Sequence, residues 1–295
     1  MPPFTRFSTA TKVALARLAS TTLIRLGVRT PRQIRRHGLT FDVDIREGID
    51  LSLFLFGSFE RDILNTIKTL VPPDAIVIDV GANVGALTLP VADYLERGHV
   101  YAVEPTDFAF AKLRKNLDLN PRLSSRVTPI RSFVSSQAAT VSELVAYSSW
   151  PVTGSDDKRQ HPVHKGVPQT ARCGQVTLDG LIEAHNIEKV SLVKIDTDGH
   201  EFSALGGATR CLEQLRPAVI FEACEYLLVP PRPTFDDFAK LFTSYNYTIC
   251  ERTGFRPIGE EDFVRTCPTG GGLDLLALPN EKRSSLRQTS QPTLL

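Results

Sequence analysis

The 295 residues suffice for one large α/β core, and 42% hydrophobic with 23% charged residues mark a globular chain in which no run approaches the 18 or more apolar residues of a bilayer-spanning helix. The formal net charge of +1 hides an asymmetry: residues 1–41 hold Lys12 and seven arginines without one acid, and with those 8 cations set aside 26 basic residues face 33 acidic ones, about −7 net. A body that acidic is a poor surface for nucleic acid, whose binding rests on neutralising phosphates. Five scattered cysteines, Cys173, Cys211, Cys224, Cys250 and Cys267, are never spaced C-x-x-C, which argues against a disulfide framework or zinc knuckle and for reduced thiols in a cytoplasmic protein.

In chain order, residues 1–41 form a basic N-terminal arm in which Val13, Ala14, Leu15, Leu18, Leu23, Ile24 and Leu26 recur at roughly helical spacing. Three readings stay open: an amphipathic helix on an anionic membrane surface, a targeting peptide, or a helix packed on the body. No long apolar stretch followed by a small-residue cleavage site is present, so a secretory signal is not expected. One domain is expected over residues 42–280. From about residue 60 short β-rich runs alternate with helical stretches, at Ala75–Val80, Val100–Glu104, Val127–Val134, Val190–Asp196 and Ala218–Glu222, the pattern of a parallel sheet. The segment Ser148–Arg172, rich in Pro, Gly, Asp and His and carrying Trp150, reads as a long loop able to cover a substrate. Tyr247–Arg252 and Leu273–Leu278 read as a closing antiparallel pair, and Glu281–Leu295 as a disordered tail.

The run Asp79-Val80-Gly81-Ala82-Asn83-Val84-Gly85 follows a buried strand and precedes the apolar-periodic stretch Leu87–Leu95. Glycine there tolerates positive φ and admits a ligand close to the backbone, while the next helix offers free N–H groups at the edge where open α/β sheets bind ligands. Glu104 closes the following strand 19 residues after Gly85, where an acid can accept hydrogen bonds from ribose hydroxyls. D-x-G-x-x-x-G lacks the G-x-G-x-x-G spacing that a pyrophosphate needs, which disfavours a nicotinamide-dependent oxidoreductase and suits an adenosine ligand without phosphate, S-adenosyl-L-methionine.

Taken together, VIDVGANVGALTL, YAVEP, VKIDTDGHEFSALGGA and PAVIFE resemble the FkbM methyltransferase family over roughly Phe59 to Pro279. The resemblance implies a Rossmann-like class I methyltransferase fold, with a mostly parallel seven-stranded sheet and a C-terminal antiparallel strand. It further implies S-adenosyl-L-methionine as donor and O-methylation of a saccharide, glycolipid or secondary metabolite. Phe59-Glu60 matches an aromatic-Glu pair of the family pattern and brings Glu60 to the expected cofactor residues Asp79, Gly81, Asn83, Gly85 and Glu104. Asp198 departs from the pattern, many relatives having glutamate there.

A second constellation, Asp196, Asp198 and His200 beyond one strand and Glu222 at the end of the next, is expected to face the reacting methyl group, with Glu201 starting a helix whose dipole favours an acid. Two chemistries are open for activating a hydroxyl. His200 can take its proton as a general base, or Asp196, Asp198 and Glu222 can hold a divalent metal ion that lowers the hydroxyl pKa. The bland alternative makes Asp198-Gly199 a turn and His200 a neighbour of a helix cap. A protein that kept the fold and binds the donor without catalysis is the non-enzymatic reading, against which the acid cluster speaks.

Overall fold

The computed structural model describes residues 9–149, 151–152, 167–224, 233–267 and 272–289. Helix α1 (Thr9–Arg25) leads into the hairpin β1 (Arg32–Arg36) and β2 (Leu39–Val43), then α2 (Gly48–Phe56) and α3 (Arg61–Leu70). The alternating part comprises β3 (Ile76–Val80), α4 (Thr88–Tyr94), β4 (His99–Val103), α5 (Asp107–Asp118) and β5 (Val127–Ile130). Three strands interrupt it, β6 (Ser132–Val134), β7 (Ala139–Ser149) and β8 (Val167–Val176), after which come α6 (Leu178–Ala184), β9 (Leu192–Ile195), α7 (Glu201–Gly206) and β10 (Ala218–Cys224). The described chain closes with α8 (Phe235–Ser244), β11 (Tyr247–Cys250), α9 (Glu260–Thr266), β12 (Gly272–Pro279) and α10 (Asn280–Thr289).

Seven strands form the central sheet in the order β11-β12-β10-β9-β3-β4-β5. β12 runs antiparallel to both its neighbours and the remaining pairs are parallel, so the expected α/β class and its single reversed strand are both present. The strands are short and apolar because helices cover both faces, which removes the need for a polar side. Val77, Leu192, Ile220 and Leu276 fill one face together with Ile63 of α3, Leu89 of α4 and Leu113 of α5. Ile78, Val193, Ile195 and Phe221 fill the other with Leu181 of α6 and Phe238 and Phe242 of α8.

Register converts this alternation into a site. Asp79 lies opposite Lys194, and Lys194 opposite Ile220, so the two-residue period of the strands puts Asp79, Lys194, Asp196 and Glu222 on the same face near the carboxyl edge.

Three expectations change. The boundary at residue 41 falls inside β2, whose hairpin is held on α5 by side-chain amides: Thr40 donates its N–H to Asn120 Oδ1 (2.9 Å) and Asp42 donates to Asn116 Oδ1 (2.8 Å). The hairpin therefore belongs to the body. The Ser148–Arg172 segment is not a loop throughout, because β8 begins at Val167 and pairs antiparallel with β7; Trp150 and residues 153–166 lie outside the described residues. The tail is helical through Thr289, as Arg216 donates to both carboxylate oxygens of Glu281 (2.9 Å each) and the Lys282 ammonium donates to Arg216 O (2.5 Å); residues 290–295 lie outside the description. Among the described residues no helix is long and apolar enough to cross a membrane, and Cys173, Cys211, Cys250 and Cys267 are buried and not joined in disulfides.

Candidate active site

A cavity of about 420 Å³ opens at the carboxyl edge of β3, β4 and β9, a size within the roughly 300–1,000 Å³ of small-molecule sites. Of the residues expected from sequence, Glu60, Asp79, Gly81, Asn83, Glu104, Asp196, Asp198 and His200 line it; among the described residues Gly85 and Glu222 do not.

The loop after β3 is tied down at both ends. The N–H groups of Gly81 and Ala82 both donate to Val103 O (2.9 and 3.0 Å), closing the turn over the end of β4. Asn83 sits at φ 48°, its side chain accepting from Val84 N (2.8 Å) and its own N–H donating to Glu104 Oε2 (3.0 Å). Gly81 has φ 84°, and a Cβ on it would lie 1.7 Å from Asp196 O. This glycine is thus demanded by the passage of the β9 turn across it, where sequence alone pointed to ligand clearance. Gly85 has a packing role as well: a Cβ there would enter the side chains of Leu113 (2.7 Å) and Leu89 (2.8 Å).

Glu104 is buried, and its Oε1 accepts from Thr106 N (3.0 Å) and Thr106 Oγ1 (2.6 Å) while Oε2 accepts from Asn83 N. A carboxylate offers about four acceptor positions, so one remains, on Oε2. Burial raises its pKa, against the hydrogen bonds from Thr106 and Asn83 and the nearby Lys194. Asp79, also buried, accepts from Thr88 Oγ1 on Oδ2 (2.6 Å), while its Oδ1 has no hydrogen-bond partner and lies 3.9 Å from Lys194 Nζ. Burial lifts its pKa too, opposed by Lys194 and Thr88.

Lys194 is the residue that sequence reading passed over. Its ammonium is buried among three carboxylates, at 3.1 Å from Asp196 Oδ2 and 3.9 Å from both Glu60 Oε2 and Asp79 Oδ1. Burial alone would lower its pKa, but these acids raise it well above the ordinary lysine value and keep it charged. A signal was available: one lysine inside the otherwise apolar strand Leu192-Val193-Lys194-Ile195 has to find a carboxylate.

Beyond β9 the chain turns sharply, with φ 52° at Asp198 and 103° at Gly199. Glu201 holds this turn, its buried Oε1 accepting from Thr197 N (2.7 Å), Thr197 Oγ1 (3.1 Å) and Gly199 N (3.1 Å). The turn carries Asp198 and His200 into the cavity, and the His200 ring meets Phe133 of β6 edge-on at 5.0 Å. Burial and the neighbouring carboxylates of Asp196, Glu201 and Glu104 push the Asp198 carboxyl well above its usual range. Glu60, at the start of α3 with φ 50°, is raised to about 8, first by burial and then by Asp196, Asp274 and Asp79, with Lys194 opposing.

The expected metal set is not what the turn assembles. Carboxylate oxygens of Asp196, Glu201 and Glu222 come within 4.8 Å of one another, whereas Asp198 stands apart from that group. Two of these carboxylates are already engaged: one Glu201 oxygen accepts three hydrogen bonds from the turn, and one Asp196 oxygen faces an ammonium.

"Hexuronic acid methyltransferase AglP" of Haloferax volcanii is 26% identical over 161 residues, 55% of this chain and 61% of that protein. "Methyltransferase 1" of Beauveria bassiana is 26% identical over 169 residues, 52% of this chain and 66% of that one, so the chain spans less than two thirds of either relative. The crystal structure of P. horikoshii TYW2 in complex with MeSAdo aligns at 15% identity with a TM-score of 0.43, covering 89% of this chain and 81% of that one. The family described as "Methyltransferase FkbM domain" matches residues 79–249, more than half of the sequence. Because that interval carries the glycine loop, Glu104 and the whole Lys194–Glu201 turn, the chain belongs to the FkbM methyltransferase family.

Proposed function

We propose that this protein transfers the methyl group of S-adenosyl-L-methionine to a hydroxyl oxygen of a saccharide, a glycolipid or a secondary metabolite. The observation that carries this reading is a single cavity joining the glycine loop and Glu104 on one side to Asp196, Asp198 and His200 on the other, so that donor and acceptor have adjoining places. Family membership supports the reaction class, and the relative named for a hexuronic acid supports a sugar acceptor.

The residues present suit that donor. Glu104 keeps one acceptor position for a ribose hydroxyl, and Asp79 lines the same cavity beside the Lys194 ammonium. When bound, the donor supplies an electrophilic methyl on a sulfonium. The chain supplies position and proton handling: His200 accepts the proton of the acceptor hydroxyl, and Asp198, whose carboxyl is pushed up by burial and the neighbouring acids, lines the same end of the cavity. The Lys194 ammonium offsets the repulsion among the surrounding carboxylates.

Methyl-labelled donor offered with a panel of glycans and glycolipids, followed by mass spectrometry, tests the reading. Labelled product is expected, His200→Ala should lower kcat by roughly 10²- to 10⁴-fold with donor affinity kept, and chelator should leave the rate unchanged. Hydride transfer from a reduced nicotinamide would replace the reading with an oxidoreductase, and a chelator-sensitive rate would replace the proton-transfer route with a metal.

A further inference from the structure

Nine large hydrophobic side chains are exposed among the described residues, and six of them, Leu15, Leu18, Ile24, Leu26, Leu55 and Phe56, lie on or next to α1 and α2. Helix α1 is apolar on two sides. Ala16 and Leu23 pack on the small core of Ile45, Leu51 and Val152, while Leu15 and Leu18 face outward, Leu18 at 66% exposure. One inward face accounts for a helix that docks on its own domain; a second apolar face asks for another partner. The end of α2 packs on the same small core through Phe54, and Arg36 of β1 donates to Phe54 O (2.7 Å), which sets Leu55 and Phe56 beside the β1–β2 hairpin.

The chain around α1 and β1 carries one sign of charge. Arg25, Arg29, Arg32 and Arg35 are exposed, and no acid occurs in the sequence before Asp42. We infer that this face docks on an anionic phospholipid surface, with Leu15, Leu18, Leu26 and Phe56 entering the headgroup boundary and the arginines meeting lipid phosphates. Charge decides the occupant. A second copy seated on the same patch would bring two sets of arginines together, whereas an anionic bilayer attracts them. The opposite side of the docked helix contributes Val13 and Ala16 to the cavity wall. Resting on the methyl-transfer reading, the acceptor class is therefore a hydroxyl carried on a membrane lipid.

Co-sedimentation of the full chain with phosphatidylcholine vesicles, with and without phosphatidylglycerol, tests the docking, alongside calorimetry with S-adenosyl-L-methionine. Expected are binding to the anionic vesicles alone, weakening as salt rises, and a roughly tenfold or greater loss in a combined Leu18→Glu, Leu26→Glu, Phe56→Glu variant. Those side chains are exposed and outside the cavity, so the variant should keep its donor affinity. Equal sedimentation of wild type and variant, equal binding to neutral vesicles, or no binding at all would overturn the inference. So would a concentration-dependent dimer that the variant abolishes while vesicles are ignored, which would make the patch a self-association surface. Vesicle binding without donor binding would instead retain the docking and sink the methyl-transfer reading.

Discussion

The two halves of the sheet edge are built on different principles. On the β3–β4 side the acids are held by hydrogen bonds from nearby residues: Thr88 holds Asp79, and Thr106 and Asn83 hold Glu104. On the β9 side Lys194 gathers Asp196 and, from other segments, Glu60 and Asp79 around one buried ammonium, and the turn that follows has two successive residues at positive φ. Hydrogen bonds of fixed geometry make a rigid receptor, and clustered like charges make groups whose protonation is easily shifted. The two proposed roles, donor binding and proton transfer, thus rest on separate physical supports, meeting where the Asp196 carbonyl crosses Gly81.

That crossing is where the comparison breaks most completely. Gly81→Ala should cost roughly 2–6 kcal/mol of stability or prevent folding, since a Cβ collides with backbone and the residue is held at positive φ. Urea unfolding measures it, and a variant as stable as wild type would show that the two loops do not bear on each other. Next is Lys194→Met, expected to cost about 3–5 kcal/mol at neutral pH because three carboxylates lose their shared cation. The penalty should shrink at acid pH as the carboxyls protonate; a pH-independent penalty would mean that packing, and not charge, is what Lys194 supplies.

Glu104→Gln is confined to the other half and should weaken the donor by roughly 1–3 kcal/mol, read by calorimetry. With one acceptor position left on Oε2, 2′-deoxy and 3′-deoxy donor analogues should bind wild type unequally. Equal losses would mean that Glu104 reads both hydroxyls or neither. The smallest effect concerns Glu60. Burial holds its carboxyl at about 8 against an ordinary 4.5, so the unfolded chain releases this proton first and rising pH erodes stability between those values, with no loss below the lower one. The wild-type melting temperature should accordingly decline more steeply than that of Glu60→Gln across this window; parallel curves would remove Glu60 from the charged cluster.

The β3–β4 half was legible in the sequence because its parts are local. A strand, a glycine turn and a second strand ending in an acid lie within 29 consecutive residues, Ile76 to Glu104, and each declares its backbone need. The β9 half was legible by residue type only. Asp196, Asp198 and His200 were visible as a motif, but Glu222 shares a face with Asp196 without reaching the cavity, and that depends on how β9 and β10 register.

The sequence by itself determined the fold class, the family and the acids at the strand ends, since apolar periodicity, glycine spacing and motif order are properties of neighbours along the chain. Only the tertiary structure decided that Gly81 clears a backbone carbonyl, that Lys194 binds three acids drawn from three separate segments, and that α1 walls the cavity while leaving Leu15 and Leu18 outside. The physical reason is common to all three. Close approach, charge compensation in a dry interior and the burial of one helix face against another are contacts between residues far apart in the chain, and no local pattern records which distant partner will fill the space.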